Sequence, residues 1–535
     1  MRKRYGALSV LLALACNEVL GLDAGVLEPD RGGGGSLSSS NGGAALGPSN
    51  PSGNGGNSGN SGSSGRTEDG GDGGAGNDGG DDGPLPCAST ADCIDGSLSA
   101  PPYLCLAGSC VDVLTEECDT LLGAEWLEDR PQDQPIIFGS IAEDVDERSA
   151  SYLSLELAMK EFAAHGAVPI DGTERRPLLL VCHVPGSDPE PARRALDHLI
   201  DDVGVPGMLM LESRDNLFES VNYALEQKQA DVFFVDVGGA NMELGALDDG
   251  GRLWHMLGSN FGIATAFIPL VKQVEELVNP GASTMQSTRS TRLVIVIPTE
   301  DDGFETRMTL TVEGSIETNG QFTSDHPETY RLVYAARTRL DVAAKETAIF
   351  EPDIVIDFKG IYARIDTEVR ARNGLLPFYL LPPSQTDAPL LLARVAADPT
   401  LRTRILGIHE AGPDEQHRTL YDAYLERFAA IAPDGLDAKS GLSTYEGAYF
   451  LLYATVAGGT GGTNMNRGMT RLLGLLTSER RDIGPTTIDS VIDLLGTAPS
   501  LSLHGALGPP AFYPYSGERS RPIDVWCIDE ELNLI

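Results

Sequence analysis

Short, continuous apolar runs alternate with amphipathic segments from about residue 134 onward, and this alternation restricts the fold more than any other feature. An apolar run between amphipathic helices indicates a strand buried on both faces of a parallel sheet. The first run, 136–141, precedes a helical segment that Gly166 is predicted to end as its C-cap. The apolar face of that helix contains Tyr152, Leu155, Met159 and Phe162. The pattern repeats with strands predicted at 177–185, 207–211 and 231–237 and helices at 189–204 and 216–227.

A second series of apolar runs follows the first and predicts a second α/β lobe. Its strands are expected at 292–298, 330–336, 353–358 and 377–383. Two such lobes form a cleft, and ligands of α/β sheets bind at the carboxyl ends of the strands. Between the series, segment 261–281 has a helical face suited to the core of a lobe near the crossover. That face consists of Ile263, Phe267, Leu270, Val271 and Val274.

The N-terminus has the layout of an export signal. Three basic residues (2–4) precede a short apolar stretch, and the small Ala15 stands directly before Cys16. The arrangement resembles a bacterial lipoprotein signal, in which the cysteine is lipidated and becomes the new N-terminus. The resemblance implies a signal and lipidation site over 1–16. An ordinary secretory signal with an incidental cysteine is the alternative.

Residues 17–86 are expected to form a flexible linker. The segment is dominated by Gly, Ser, Asn and Asp, and such a composition cannot bury enough apolar surface to offset the entropy of ordering. Apart from residues 7–15, no apolar run is long enough to cross a bilayer as a helix.

The cysteines cluster in a short segment, 87–118, that holds five of the eight in the chain. In an exported protein such a cluster predicts a small disulfide module, because a segment this short cannot hold itself together with a core. The rival zinc site lacks a C-x-x-C pair and a nearby histidine. The pairs Cys87 with Cys105 and Cys93 with Cys110 are one of three possible connectivities. The remaining predictions are that Cys118 reaches Cys527 and that Cys182 is a buried free thiol.

Charge and motifs exclude several classes of function. The formal net charge is −39, which argues against nucleic acid as a partner. The sequence contains no G-x-S-x-G elbow, no H-E-x-x-H zinc motif and no P-loop with its lysine. The eight histidines are dispersed along the chain. We therefore expect no enzyme activity, no metal site and no cofactor.

The order of elements and several short strings resemble the type I periplasmic solute-binding proteins, the fold of branched-chain amino acid receptors. The strings are "IIFGSIAEDV", "GVPGMLMLESRDNLFESV", "VDVGGANMELGALDDGGRLWHMLG", "VIVIPTEDDGFETRM" and "STYEGAYFLLYATV". The resemblance implies an α/β fold with two lobes, each a parallel sheet covered by helices on both faces. It implies lobe 1 at 134–285, lobe 2 at 286–411, a return to lobe 1 at 412–495 and a closing segment, mainly in lobe 2, at 496–535.

The same resemblance implies a set of ligand-binding residues. Ser213, with the backbone at Arg214 and Asn216, would hold a carboxylate at the start of a helix, where free N–H groups and the helix dipole favour an anion. The alternative is a plain N-cap role for Ser213 or Asp215. For the side chain of Arg214, an anion contact and an exposed position in solvent both stay open. Ala240 and Asn241 match the family's second ligand loop. In lobe 2 the candidates are Phe304 as an apolar lid and either Asp302 or Asp357 as a counter-ion for an amino group.

The implied function is that of a lipid-anchored, extracytoplasmic solute-binding protein in the cell envelope. It would close its lobes on a small polar ligand, most readily an amino acid or related compound, for uptake or sensing through an ABC permease or a sensor. Two alternatives remain at this point. One is an anchored interaction module that keeps the fold without a ligand, and the other is an exported enzyme.

Overall fold

The computed structural model describes residues 85–94, 103–127, 129–186, 188–212, 214–238, 247–258, 260–282, 284, 286–299, 304–383, 388–433, 435–474, 478–513, 516–521 and 523–534. The predicted lipidation site at Cys16 and nearly all of the predicted linker at 17–86 lie outside these residues. Every element below belongs to one compact unit that includes residues 86–535. Within the described ranges, no helix is both long and apolar enough for a membrane span.

The cysteine-rich segment contains a short helix and a β-hairpin. The elements are α1 (Thr90–Ile94), β1 (Tyr103–Leu106) and β2 (Ser109–Asp112). Disulfides join Cys87 to Cys105 and Cys93 to Cys110, as predicted. The antiparallel register places Cys105 opposite Cys110, so the two disulfides fasten both strands of the hairpin to the segment before it.

Cys118 forms a third disulfide with Cys182, so the two remaining cysteine predictions are wrong. Cys118 does not reach Cys527, and Cys182 is not a free thiol. The reason is that β3 (Thr120–Leu122) pairs antiparallel with strand Thr173–Val184, with Thr120 opposite Val181. This register brings Cys118 to the level of Cys182. Leu104 and Val113 also pack into the core of lobe 1, so the module is docked on that lobe.

Lobe 1 is built on an eight-stranded sheet with the order β19-β9-β8-β7-β4-β6-β3, and β5 pairs with β6. Strands β4, β6, β7, β8 and β9 run parallel. The apolar runs of the first series form β4, β6, β7 and β8, as predicted, and Gly166 caps the first long helix with a φ of 115°. The elements are β4 (Gln134–Glu143), α2 (Ala150–His165), β5 (Val168–Ile170), β6 (Thr173–Val184), α3 (Pro189–Asp197), β7 (Gly207–Leu211), α4 (Arg214–Asn222), β8 (Phe233–Asp236) and β9 (Leu253–Gly258). Helical turns at His198–Val203 and Tyr223–Gln227 extend α3 and α4.

Helix α5 (Asn260–Val278) belongs to lobe 2 and moves the lobe boundary. Its predicted apolar face is buried, but it packs on the strands of the second sheet, together with Leu293 and Ile354. The prediction that lobe 1 extends to residue 285 is therefore wrong, since the crossover comes at about residue 259. The pattern of a helix shows which face is buried but not which sheet covers it.

Lobe 2 is a six-stranded sheet with the order β13-β10-β14-β15-β16-β20, in which only the edge strand β20 is antiparallel. Its parallel strands and helices alternate as the second series predicts. The elements are β10 (Leu293–Pro298), α6 (Phe304–Ser315), β11 (Glu317–Thr318), β12 (Gln321–Phe322), β13 (Tyr330–Ala335), α7 (Leu340–Phe350), β14 (Ile354–Asp357), α8 (Tyr362–Ala371), β15 (Phe378–Leu381), α9 (Ala388–Ala397), α10 (Pro399–Arg402) and β16 (Ile405–Glu410).

The chain then returns to lobe 1, where α12 is buried along nearly its whole length. The prediction that the closing segment 496–535 lies mainly in lobe 2 is wrong. Its strand β18 packs in the lobe 1 core and β19 pairs with β9, so only β20 joins lobe 2. The elements are α11 (Arg418–Ala429), α12 (Leu442–Gly458), α13 (Gly462–Leu472), β17 (Glu479–Asp482), α14 (Ile488–Thr497), β18 (Leu501–His504), β19 (Glu518–Arg519) and β20 (Ile523–Trp526).

Candidate functional site

Four polar side chains form a row across neighbouring strands at the carboxyl edge of the lobe 1 sheet. Side chains alternate between the two faces of a strand, so residues two apart lie on one face. The residues two positions earlier in β4, β7, β8 and β9 are all buried in a single core cluster on that face. They are Ile141, Met210, Phe234 and Leu253. The row, which we call the edge row, consists of Glu143, Glu212, Asp236 and His255.

Glu212 is the most unusual member of the edge row. Only 1% of its surface is exposed, although it follows the last residue of β7. Its Oε1 accepts a hydrogen bond from Ser220 Oγ at 2.9 Å, while Oε2 is buried without a hydrogen-bond partner in the described part of the chain. Burial raises the pKa of Glu212 to about 8, and the charges of Glu143 and Asp236 act in the same direction. The carboxyl therefore holds a proton at neutral pH.

Asp236 and His255 form a buried pair one step further into the sheet. They lie opposite each other in the parallel register, with 2.8 Å between His255 Nδ1 and Asp236 Oδ2. The other oxygen of Asp236 accepts the N–H of Gly238 at 3.0 Å. Only 2% of His255 is exposed, and its Nε2 is buried with no partner among the described residues. The edge row thus contains two buried side chains, each with an unpartnered polar atom.

Two glycines allow the loops at this edge to pack closely. A Cβ at Gly238 would lie 2.8 Å from the backbone oxygen of Glu212, which cannot move aside. A Cβ at Gly186 would lie 2.2 Å from Oε1 of Glu143. The N–H of Gly186 donates to Asp144 Oδ2 at 3.1 Å. Larger residues at either position would therefore displace groups of the edge row or its loops.

Asn216, one of the predicted ligand residues, supports the same edge. It lies in the first turn of α4, where its Nδ2 donates to the carbonyl oxygen of Gly186 at 3.2 Å. This bond links α4 to the loop after β6. Arg214 begins α4 and Phe304 begins α6, but their side chains are not among those described. The remaining predictions that lie outside the described residues are Ser213, Ala240, Asn241 and Asp302.

Asp357 is not available as a ligand counter-ion, which corrects that prediction. It is completely buried, and its Oδ1 accepts the N–H groups of Lys359 and Gly360 at 3.1 and 2.9 Å. Its Oδ2 accepts the N–H of Tyr362 at 2.6 Å. Burial raises its pKa to about 6 although these bonds favour the ionised form. The carboxyl group therefore organises the turn between β14 and α8.

Sequence reasoning missed Glu212, Asp236 and His255. Each is a polar residue at an inward position of an apolar strand or directly after it, in the strings "GMLMLE", "VFFVD" and "LWH". That position was the signal available in the sequence, because a polar residue in such a run must be paired in the core or exposed at the strand end.

Solved structures of solute-binding proteins share this architecture. A putative branched-chain amino acid ABC transporter from Silicibacter pomeroyi matches with a TM-score of 0.52 and 14% identity, over 75% of this chain and 96% of that chain. One from Rhodospirillum rubrum matches with a TM-score of 0.48 and 12% identity, over 75% and 99%. A substrate-binding protein from Desulfitobacterium hafniense, solved in complex with Leu, matches with a TM-score of 0.47 and 13% identity, over 75% and 100%.

The Silicibacter pomeroyi match agrees with the observed topology: the chain has the two-lobed α/β fold of the type I periplasmic binding proteins. No protein-family model matches the sequence, and the search of curated proteins returns no match.

Proposed function

We propose that this protein is an extracytoplasmic solute-binding protein that closes two lobes on a small polar ligand, an amino acid or related compound, for ABC-type uptake or sensing. The fold supports the proposal, and the Silicibacter pomeroyi structure with the same fold is described as a putative branched-chain amino acid ABC transporter. The export signal and the cysteine at position 16 support lipid anchoring in the cell envelope.

The observation that carries the proposal is the buried, unpartnered Oε2 of Glu212. Ligands of parallel α/β sheets bind beyond the carboxyl ends of the strands, which is where Glu212 lies. Buried polar atoms almost always have a partner, and leaving one unpaired costs about 1–3 kcal/mol. A ligand group that forms a hydrogen bond with Oε2 would remove this cost, and the unpartnered atom therefore supports a solute site at this edge.

The chain connectivity supports a closing motion between the lobes. The chain passes from lobe 1 to lobe 2 between β9 and α5, returns between β16 and α11, and crosses once more between β19 and β20. Short connecting segments that absorb backbone rotation are typical of hinges. In this mechanism the ligand shifts the population toward the closed form, and a membrane partner recognises that form.

Thermal unfolding of the full exported chain against a panel of amino acids, carboxylates and amines tests the binding function. A ligand present at a hundred times its dissociation constant stabilises the fold by about 2.7 kcal/mol. Glu212→Leu should remove the stabilisation, whereas Glu226→Gln, an exposed position on the same lobe, should retain it. If no compound stabilises the wild-type chain, the fold serves as an interaction module and the proposal fails.

Lipid anchoring has its own test. Intact mass of the protein from the membrane fraction should show Cys16 as the N-terminal residue with attached acyl chains, and Cys16→Ser should release the protein from that fraction. A retained, unlipidated N-terminus contradicts the anchoring and leaves the binding function standing.

A further inference from the structure

We infer that the ligand presents a positively charged amine to the edge row of lobe 1 and needs no carboxylate to bind there. The inference rests on the proposed function and names the class of solute that the site takes. It follows from which polar atoms of the edge are already paired, which are not, and what charge surrounds them.

The buried unpartnered atoms of the edge row suit a hydrogen-bond donor. Nδ1 of His255 lies 2.8 Å from the carboxylate of Asp236, and a ring that carries its one proton on Nδ1 has a lone pair on Nε2 and accepts there. Glu212 Oε2 accepts when the carboxyl is ionised. An ammonium group has three N–H donors and no acceptor, which makes it a suitable partner for either atom.

Two backbone donors that the structure describes at this edge are already in use. The N–H of Gly186 donates to Asp144, and the N–H of Gly238 donates to Asp236. Free backbone N–H groups are natural partners for a ligand carboxylate. Here carboxylates of the protein itself accept the N–H groups of Gly186 after β6 and of Gly238 after β8.

The negative charge of the edge row also favours an ammonium group over a carboxylate. Glu143 and Asp236 both raise the pKa of Glu212, which shows that the three carboxyl groups interact electrostatically. A ligand carboxylate would add a further negative charge to this group. An ammonium ion would instead stabilise the ionised form of Glu212 and displace its proton.

A metal ion fits the edge row less well than an organic ammonium. In the described ranges, the only three candidate ligand residues whose atoms lie within 4.8 Å of one another are Cys87, Cys93 and Cys110, and these form disulfides. A divalent cation requires oxygen ligands at about 2.0–2.6 Å around one centre. The described residues of the edge row do not bring three such ligands together, whereas an ammonium group needs only one acceptor to bind.

The proton of Glu212 gives the inference a distinctive signature. The pKa of the free site is about 8 and the ammonium binds the ionised carboxylate, so the dissociation constant should fall roughly 50-fold from pH 6 to pH 8. One proton should be released per ligand at neutral pH. A solute that instead accepts a hydrogen bond from the protonated carboxyl would bind more weakly as the pH rises. Glu143 and Asp236 face the same group, and variants that retain them isolate the effect of Glu212.

Calorimetric titration of the full chain with matched solutes is the test. Leucine carries both an amine and a carboxylate, isoamylamine carries only the amine, and isocaproate carries only the carboxylate. Putrescine, neutral sugars, calcium and magnesium complete the panel. We expect at least one amine without a carboxylate to bind, with proton release in buffers of different ionisation enthalpy. Glu212→Gln should weaken that binding at least tenfold, and the exposed control Glu226→Gln should leave it unchanged.

The outcomes separate the inference from the proposed function. If isocaproate, a sugar or a divalent ion binds and the amines do not, the ligand class is wrong while the solute-binding function holds. If amines bind with affinity that does not rise between pH 6 and pH 8, the role of Glu212 is wrong, and this measurement on the wild-type chain does not depend on whether the variant folds. If nothing in the panel binds, the proposed function fails as well.

Discussion

Arg519 and Glu446 form an ion pair in the interior of lobe 1, with 2.8 Å between Nη1 and Oε2 and side chains that are 1% and 0% exposed. The other oxygen of Glu446 accepts the N–H of Leu507 at 2.8 Å, and Nη2 of Arg519 donates to the carbonyl of Gly508 at 3.1 Å. Glu446 lies in helix α12 and its partners lie in the closing segment, so these bonds join the helix to that segment. This explains why most of that segment lies in lobe 1.

Removing one partner of the pair should destabilise the protein strongly. Arg519→Met leaves the carboxylate of Glu446 buried without its cation, and such a loss costs about 3–5 kcal/mol. Urea unfolding measures the change in the free energy of unfolding. The matched control is the double variant Glu446→Met with Arg519→Met, because apolar replacement of a whole buried pair is often close to neutral. Equal losses in the single and double variants would contradict this account.

The disulfide between Cys118 and Cys182 should contribute more stability than either disulfide of the hairpin module. It closes a span of 64 residues, and the loop-entropy relation gives roughly 4 kcal/mol for such a span. Guanidinium unfolding of Cys118→Ala with Cys182→Ala measures the loss. The control pair, Cys87→Ala with Cys105→Ala, removes a span of 18 residues and should cost roughly 1 kcal/mol less. A larger loss in the control would show that loop entropy does not dominate.

The strands of both sheets could be predicted from sequence because their signal is local. The string "GMLML" is β7, residue for residue, since a short apolar run between helices has few other solutions. The pairing of Cys118 could not be predicted in the same way. It depends on β3 adding to the edge of the lobe 1 sheet beside β6, and no local pattern of a three-residue strand specifies that neighbour.

The candidate site was predictable only as a region. The sequence places the ligand at the carboxyl ends of strands, which is where Glu212 lies, but its burial depends on Ser220 of α4 packing over it. Asp357 shows the converse, because an aspartate after a strand has the same appearance in sequence whether it binds a ligand or caps the next turn. Only the positions of the N–H groups at residues 359, 360 and 362 distinguish the two roles.

Asp357 should therefore matter for stability and not for ligand recognition. Asp357→Ala removes the acceptor of three backbone N–H groups and should cost about 2–4 kcal/mol in chemical unfolding. Asp341→Asn, an exposed aspartate of the same lobe, is the control and should change stability by less than about 1 kcal/mol. The folded fraction of Asp357→Ala should bind solute with the wild-type dissociation constant. A selective loss of affinity would return Asp357 to the binding site.

A chain of hydrogen bonds links four side chains where the polypeptide re-enters lobe 1. Asp414 Oδ1 lies 2.6 Å from His417 Nδ1, His417 Nε2 lies 2.9 Å from His504 Nδ1, and His504 Nε2 lies 3.0 Å from Ser502 Oγ. The two imidazole planes are 14° apart with centroids at 5.2 Å, so the rings meet edge to edge. With Asp414 ionised, protons on His417 Nδ1, on His504 Nδ1 and on the hydroxyl of Ser502 satisfy every bond while both rings are neutral.

This arrangement predicts a loss of stability in mild acid. Burial, with the nearby charge of Arg480, lowers the pKa of His504 from 6.5 to about 4. Below pH 6.5 the unfolded chain binds a proton at His504 that the folded chain does not bind. The contribution of the neutral ring to the free energy of unfolding is therefore complete above pH 6.5 and is lost as the pH falls to about 4. Since His504 is only partly buried, we expect about 2 kcal/mol after allowing for solvent screening.

The free energy of unfolding, measured at intervals between pH 7 and pH 4, tests this expectation with His504→Asn as the variant. The asparagine cannot titrate, so the variant should lose about 2 kcal/mol less than the wild type over this interval, whatever its stability at pH 7. His326→Asn in lobe 2, where 32% of the histidine side chain is exposed, controls for the loss of a titratable ring. If the wild type and His504→Asn lose stability in parallel, the two neutral rings do not account for the acid sensitivity.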